Sequence, residues 1–191
     1  MDTNSLDWEI PDGTILAKYA DITMEEFVAL VGRHDYMLLR FNAAGDVVAT
    51  ISFNVEGIVR GLVATHICNW LFTGVLPGFG AATTCAFELE GWRCRPDVAV
   101  GRRVGNVIPR EAPRMAVEIR SASNTWRELR AKAARYLQHG TQMVWLVDTD
   151  ARSVEVHRVD TEVAVHAERE VIEGGDVLPG FQVMVGDLFP D

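Results

Sequence analysis

Two acidic residues stand inside apolar, strand-like runs: Asp97 in RPDVAVG and Glu118 in RMAVEIR. Hard divalent cations such as Mg²⁺ or Mn²⁺ take carboxylate oxygens, keep several waters, and draw their remaining ligands from a substrate phosphate. A pair of carboxylates on neighbouring strands can supply that. The apolar setting gives the pair weight, because an unpaired buried carboxylate is costly and persists where a metal or a charged partner compensates it. Taken singly, each acid has a plain structural reading: Pro96-Asp97 as a turn, and Glu118 as a solvated strand residue.

Three further residues join this list. Arg120 lies two positions beyond Glu118; as a permanently protonated group it can clamp a phosphate or stabilise charge but is unsuited to taking a proton from water. Lys132 falls at the shoulder of the apolar stripe of a downstream helix, from which a long side chain reaches back toward Glu118; a surface lysine with a snorkelling stem is the bland alternative. Glu56 falls in the first turn of an earlier helix, where the dipole favours an acid whatever its function. His34, His66, His139, His157 and His166 lack the spacing of a zinc helix, so no zinc site is expected. Ser121 and Ser123 lack a nucleophile elbow, and the glycines form neither a phosphate loop nor a dinucleotide fingerprint.

The elements that must position these residues follow from periodicity. Thr23 and Glu26 have capping-box spacing and predict a short helix ending near Gly32. YMLLRFN and DVVATISF read as a hairpin about Asn42 to Gly45. Residues 55 to 73 place Ile58, Val59, Leu62, His66 and Trp70 at helical spacing. TTCAFELE, RPDVAVG and RMAVEIR follow as strands, with alternation putting Asp97 on a face with Ala99 and Glu118 on a face with Arg120. Thr125 and Glu128 then cap a helix whose apolar stripe is Trp126, Leu129, Ala133 and Leu137, with Gly140 at its C′ position. QMVWLVDT and RSVEVHRV form a second hairpin, Trp126 and Trp145 read as core, and the stretch with Gly174, Gly175 and LPGF closes the chain as an edge strand and turn. One strand-helix-strand unit among hairpins predicts a mixed α+β fold, a central mixed sheet flanked by helices.

The 191 residues, 48% of them hydrophobic, suffice for one domain over 1–191 with a core of its own, its first 20 residues a loose segment. The acidic N-terminus lacks the basic start and apolar run of a signal peptide, and no apolar stretch approaches bilayer length, so a cytoplasmic chain with no membrane span is expected. Cys68, Cys85 and Cys94 fit neither a disulfide framework nor a zinc motif and read as reduced and mostly buried. The net charge of −9 argues against simple electrostatic binding to nucleic acid. The charge is uneven, however: residues 93 to 135 carry 11 Lys or Arg against 4 Asp or Glu. A solvated arginine-rich face explains that run as well as a phosphate-binding one.

From RPDVAV through VEIRSAS, the helix bearing Lys132 and Tyr136, the WLVD segment and the terminal VLPGF, the chain resembles the Uma-type restriction endonuclease family of the PD-(D/E)xK nuclease superfamily. The likeness runs over residues 22–189. It implies a restriction-endonuclease-like core and a divalent-metal site for phosphodiester cleavage, with Asp97 and Glu118 at the two acidic motif positions. The chain departs from the pattern where the superfamily usually has lysine and this sequence has Arg120; relatives carry a lysine on the following helix, the place of Lys132. Glu56, in FNVEG, matches a glutamate of the family, whereas a further strand acid is replaced by Met37. The resulting expectation is a Mg²⁺- or Mn²⁺-dependent DNA endonuclease: Asp97 and Glu118 hold the metal, Lys132 activates or orients water, and Arg120 contacts phosphate. Two rivals are a catalytically degenerate module binding nucleic acid or protein, and a carboxylate-pair hydrolase acting on another substrate. Cleavage of both strands favours a homodimer about a two-fold axis.

Overall fold

The computed structural model describes residues 15–19, 38–41, 47–50, 55–105, 107–121 and 124–190. Its central feature is a six-stranded mixed sheet. Its strands, in chain order, are β4 (Phe79–Thr83), β7 (Val98–Arg102), β8 (Met115–Ile119), β9 (Met143–Asp148), β10 (Ser153–Arg158) and β11 (Ala164–Ala167), and they lie in the order β11-β10-β9-β8-β7-β4. All neighbours are antiparallel except β8 and β9, which are parallel because α2 (Trp126–Gln138) carries the chain between them. β8 and β9 are buried along their whole length, as their near-continuous apolar sequences MAVEI and MVWLVD require of central strands covered on both faces.

One face of the sheet packs against α1 (Val55–Leu71) and the C-terminal segment, in a core that joins Val59, Val63 and Ile67 to Val98, Val117, Trp145 and Leu188. The other face is covered by α2 and by the hairpin of β5 (Phe87–Leu89) and β6 (Trp92–Cys94), through Leu129, Ala133, Tyr136, Phe87 and Trp92. α2 begins at Thr125 with both halves of a capping box present, the Thr125 hydroxyl accepting from the Glu128 N–H and the Glu128 carboxylate accepting from the Thr125 N–H. It ends at Gly140, whose φ of +100° suits a residue without a Cβ. A smaller sheet holds β1 (Ile15–Tyr19), β2 (Leu38–Phe41) and β3 (Val47–Thr50) in the order β1-β3-β2, and β12 (Val171–Glu173) pairs with β13 (Gln182–Met184).

The hairpin expected from YMLLRFN and DVVATISF is present as β2 and β3, paired antiparallel. Three expectations are corrected. The first 20 residues are not uniformly loose, since β1 forms within them and pairs with β3, which supplies partners for backbone groups that a lone strand would leave bare. TTCAFELE is not one strand: the chain breaks at Thr84, held at φ 52°, so that Phe79–Thr83 joins the main sheet while Phe87–Leu89 turns onto β6. The buried stripe of α1 is Glu56, Val59, Val63, Ile67 and Trp70, leaving Ile58 nearly half exposed, because two overlapping apolar stripes run along this helix and packing on the sheet selects one. The helix expected at Thr23 to Gly32 lies outside the described residues.

Candidate active site

The start of β7 and the end of β8 coincide because the two strands are antiparallel, with Val98 opposite Val117. That register brings Asp97, one residue before β7, beside Glu118, and the Asp97 N–H donates to the Val117 carbonyl at 2.9 Å. Both acids are buried, at 3% and 2% exposure. The Asp97 backbone is pinned again by Thr84, whose N–H donates to the Asp97 carbonyl at 3.0 Å while the Thr84 carbonyl accepts from Arg95 Nε at 2.6 Å. A β-branched residue in the left-handed region costs about 1–3 kcal/mol and is kept only where its surroundings over-determine it. Here it fixes the entry of Asp97 into the sheet.

Each carboxylate has its own set of donors. Glu118 Oε2 accepts from Lys132 Nζ at 2.8 Å, and Glu118 Oε1 accepts from the Tyr136 hydroxyl at 2.8 Å. Lys132 and Tyr136 are four residues apart, one turn of α2, so the same helix face delivers both. Asp97 Oδ2 accepts the Ile119 N–H at 2.8 Å, and Oδ1 accepts from Arg60 Nε at 3.1 Å and Nη2 at 2.8 Å. Burial lifts the Glu118 carboxyl above its ordinary range; the Lys132 ammonium opposes that lift and the Asp97 charge adds to it. The two acids are therefore close enough to feel each other. The Tyr136 hydroxyl is raised by burial and then by Glu118, so it remains a donor, and burial pushes the Cys94 thiol beside it up to about 12, which keeps that sulfur protonated and inert.

The structure thus brings Asp97, Glu118 and Lys132 together, as the sequence reading expects. Arg120 is engaged elsewhere: its Nη1 donates to Asp148 Oδ1 and to Asp150 Oδ2, both at 3.2 Å, at the carboxyl end of β9, and its guanidinium lies over the Trp126 ring. Glu56 is buried in the first turn of α1, one turn before Arg60. Two residues of the site have no role in the sequence reading. Tyr136 is legible there only as a companion of Lys132 at helical spacing, and Arg60 as a basic residue four after Glu56 beside a buried stripe.

A mixed sheet flanked by helices, with an acidic pair and a lysine at one end, defines the restriction-endonuclease-like class. The family described as "Putative restriction endonuclease", Uma2, matches residues 24–186, and this chain belongs to it. A solved structure described as "a putative nuclease belonging to DUF820 from Anabaena variabilis ATCC 29413" is similar in fold, with a TM-score of 0.70 and 19% identity over 88% of this chain and 97% of that one. No curated protein matches.

Proposed function

We propose that this protein is a Mg²⁺- or Mn²⁺-dependent endonuclease that hydrolyses DNA phosphodiester bonds, with Asp97 and Glu118 as metal ligands. The observation that carries the reading is the buried Asp97–Glu118 pair with the Lys132 ammonium 2.8 Å from Glu118. The donor set fits a hard cation. It is carboxylate oxygen, which suits an ion that keeps its waters and takes phosphate oxygens. When bound, such an ion supplies Lewis-acid polarisation of the phosphodiester and an acidified water.

The chain's own residues supply the rest. Lys132 and Glu118 meet in a short buried contact, Nζ donating to Oε2. The ammonium then orients water and offsets negative charge growing on the phosphate. Tyr136 holds the second Glu118 oxygen and fixes the plane of the carboxylate. Arg120 reaches a phosphate only by leaving Asp148 and Asp150, so its role here is to brace the end of β9. Glu56 lies on the buried side of α1, one turn before Arg60. Two copies about a two-fold axis would cut both strands. No helix among the described residues is long and apolar enough to cross a membrane.

The test is Mn²⁺ binding by calorimetry together with plasmid nicking, on the wild type and on Asp97→Asn, which keeps the volume and an acceptor for Ile119. Wild-type binding and nicking, both lost in the variant, are expected. A wild type that nicks equally well in chelator overturns the metal reading, and one that binds Mn²⁺ but cuts neither DNA nor RNA overturns the nuclease reading. The degenerate binding module is the second reading, favoured by one observation: a guanidinium rests on Asp97, where a cation is expected.

A further inference from the structure

Both oxygens of Asp97 are engaged. Oδ2 accepts the Ile119 N–H at 2.8 Å, a bond that ties the carboxylate to the central strand β8. Oδ1 receives Arg60 Nε at 3.1 Å and Nη2 at 2.8 Å. A cation held by Asp97 and Glu118 would lie beside the Arg60 guanidinium, which occupies Oδ1, the Asp97 oxygen not tied to β8. Two positive groups on one carboxylate repel each other, so the guanidinium and the cation would compete for Asp97.

Arg60 is the more accessible partner, its side chain 13% exposed against 4% for Asp97. It is carried by the second turn of α1, a helix fixed on the sheet through Val59 and Val63, so its head group can turn outward while its backbone stays in place. A guanidinium presents a planar fork that matches phosphate oxygens as well as carboxylate oxygens. A phosphodiester arriving beside Arg60 offers the guanidinium a second partner, and Asp97 is then released.

We propose that Arg60 is a positioning residue that locks the metal site: it neutralises the Asp97 carboxylate that would hold the cation and gives it up when a nucleic-acid phosphate takes the guanidinium. The proposal rests on the metal-site reading above. Its consequence is a reciprocal coupling: the cation binds weakly to the free protein and more tightly when DNA is present, and DNA binds more tightly when the cation is present. Such a lock keeps cation loading, and hence unspecific hydrolysis, low until substrate is in place.

The experiment is Mn²⁺ titration calorimetry on the full chain, with and without a short phosphorothioate duplex that resists cleavage, for the wild type, Arg60→Met and Arg60→Gln. Without duplex, both variants are expected to bind Mn²⁺ about tenfold more tightly than the wild type; the duplex tightens the wild type by about tenfold and changes the variants by less than about twofold. Circular dichroism establishes that each variant is folded, and Arg60→Gln, which keeps a donor for Asp97, serves if Arg60→Met does not fold. Folded variants that bind Mn²⁺ no more tightly than the wild type, or that keep its response to duplex, overturn the lock and leave the metal site standing. Absence of Mn²⁺ binding in all three proteins, with duplex and without, overturns the metal-site reading and the lock together.

Discussion

Lys132 contributes to two properties of this molecule through one contact. Its ammonium is buried against a buried carboxylate, and such pairs contribute little net stability while they are intact yet cost several kcal/mol when one member is removed, since the other is left uncompensated. Lys132→Met is therefore expected to destabilise the metal-free protein by about 3 kcal/mol, read from urea unfolding at neutral pH. Nicking should fall by about a hundredfold or more, because the group that offsets charge at the phosphate is gone. Unfolding midpoints equal to the wild type would show that Lys132 is not the counter-ion of Glu118. Tyr136 shares that carboxylate but is neutral, so a hydroxyl deletion there removes a hydrogen bond and leaves no orphan charge.

At the scale of elements, α2 works as a delivery device. Its capping box and its C′ glycine fix where the helix starts and stops, and that in turn fixes the rotation that aims Lys132 and Tyr136 at β8. The helix is tied on its other flank by Arg130, whose Nε and Nη2 donate to Glu155 on β10 at 3.1 and 2.6 Å, while His157 shares the same carboxylate. Arg130 first, helped by His157, holds the Glu155 carboxyl below its ordinary 4.5 despite burial. A depressed carboxyl contributes stability that is present above its unfolded value and disappears as pH falls through its folded value. Arg130→Met should thus lower stability at pH 7 by less than about 1 kcal/mol, since the arginine is half exposed, with the gap to wild type closing as pH falls below the ordinary carboxylate range. Unfolding curves at several pH values check this; a gap that stays constant into acid would mean that Arg130 acts through packing on Trp126 instead.

The whole molecule decides what its charges are for. Most of the basic run between 93 and 135 is spent internally: Arg95 and Arg135 on backbone carbonyls, Arg114 on the C-terminal segment, Arg110 on Glu88, Arg120 on Asp148 and Asp150. The run therefore reads chiefly as bracing, and substrate phosphate is left to a few groups near the site. The C-terminal segment is closed with little tolerance. A Cβ on Gly174 would fall inside the Leu178 carbonyl, while the Gly174 N–H donates to the Phe181 carbonyl at 2.8 Å, and Leu178 and Phe181 both belong to the core under α1. Gly174→Ala should cost about 2 kcal/mol or more and lower Tm by several degrees in a thermal melt, whereas an unchanged Tm would mean that the turn is free to shift.

By itself the sequence determined whatever depends on near neighbours. The limits of α2 follow from Thr125, Glu128 and Gly140, since capping acts over three or four residues. The Asp97–Glu118 pair follows from two apolar strands whose register repeats every second residue, and the strand-helix-strand crossover from the length of the segment between β8 and β9. The strand-like run TTCAFELE was visible, but neither its break at Thr84 nor the strands Phe79–Thr83 and Trp92–Cys94 beside it, because a β-branched residue gives no local sign that it will be forced to positive φ. Only the tertiary structure placed Arg60 on Asp97, 37 residues away, moved Arg120 onto β9, and chose which of two apolar stripes of α1 turns inward. These are choices between partners of equal chemical merit, and the chain makes them only when distant segments close on one another and burial leaves each charge a single affordable neighbour.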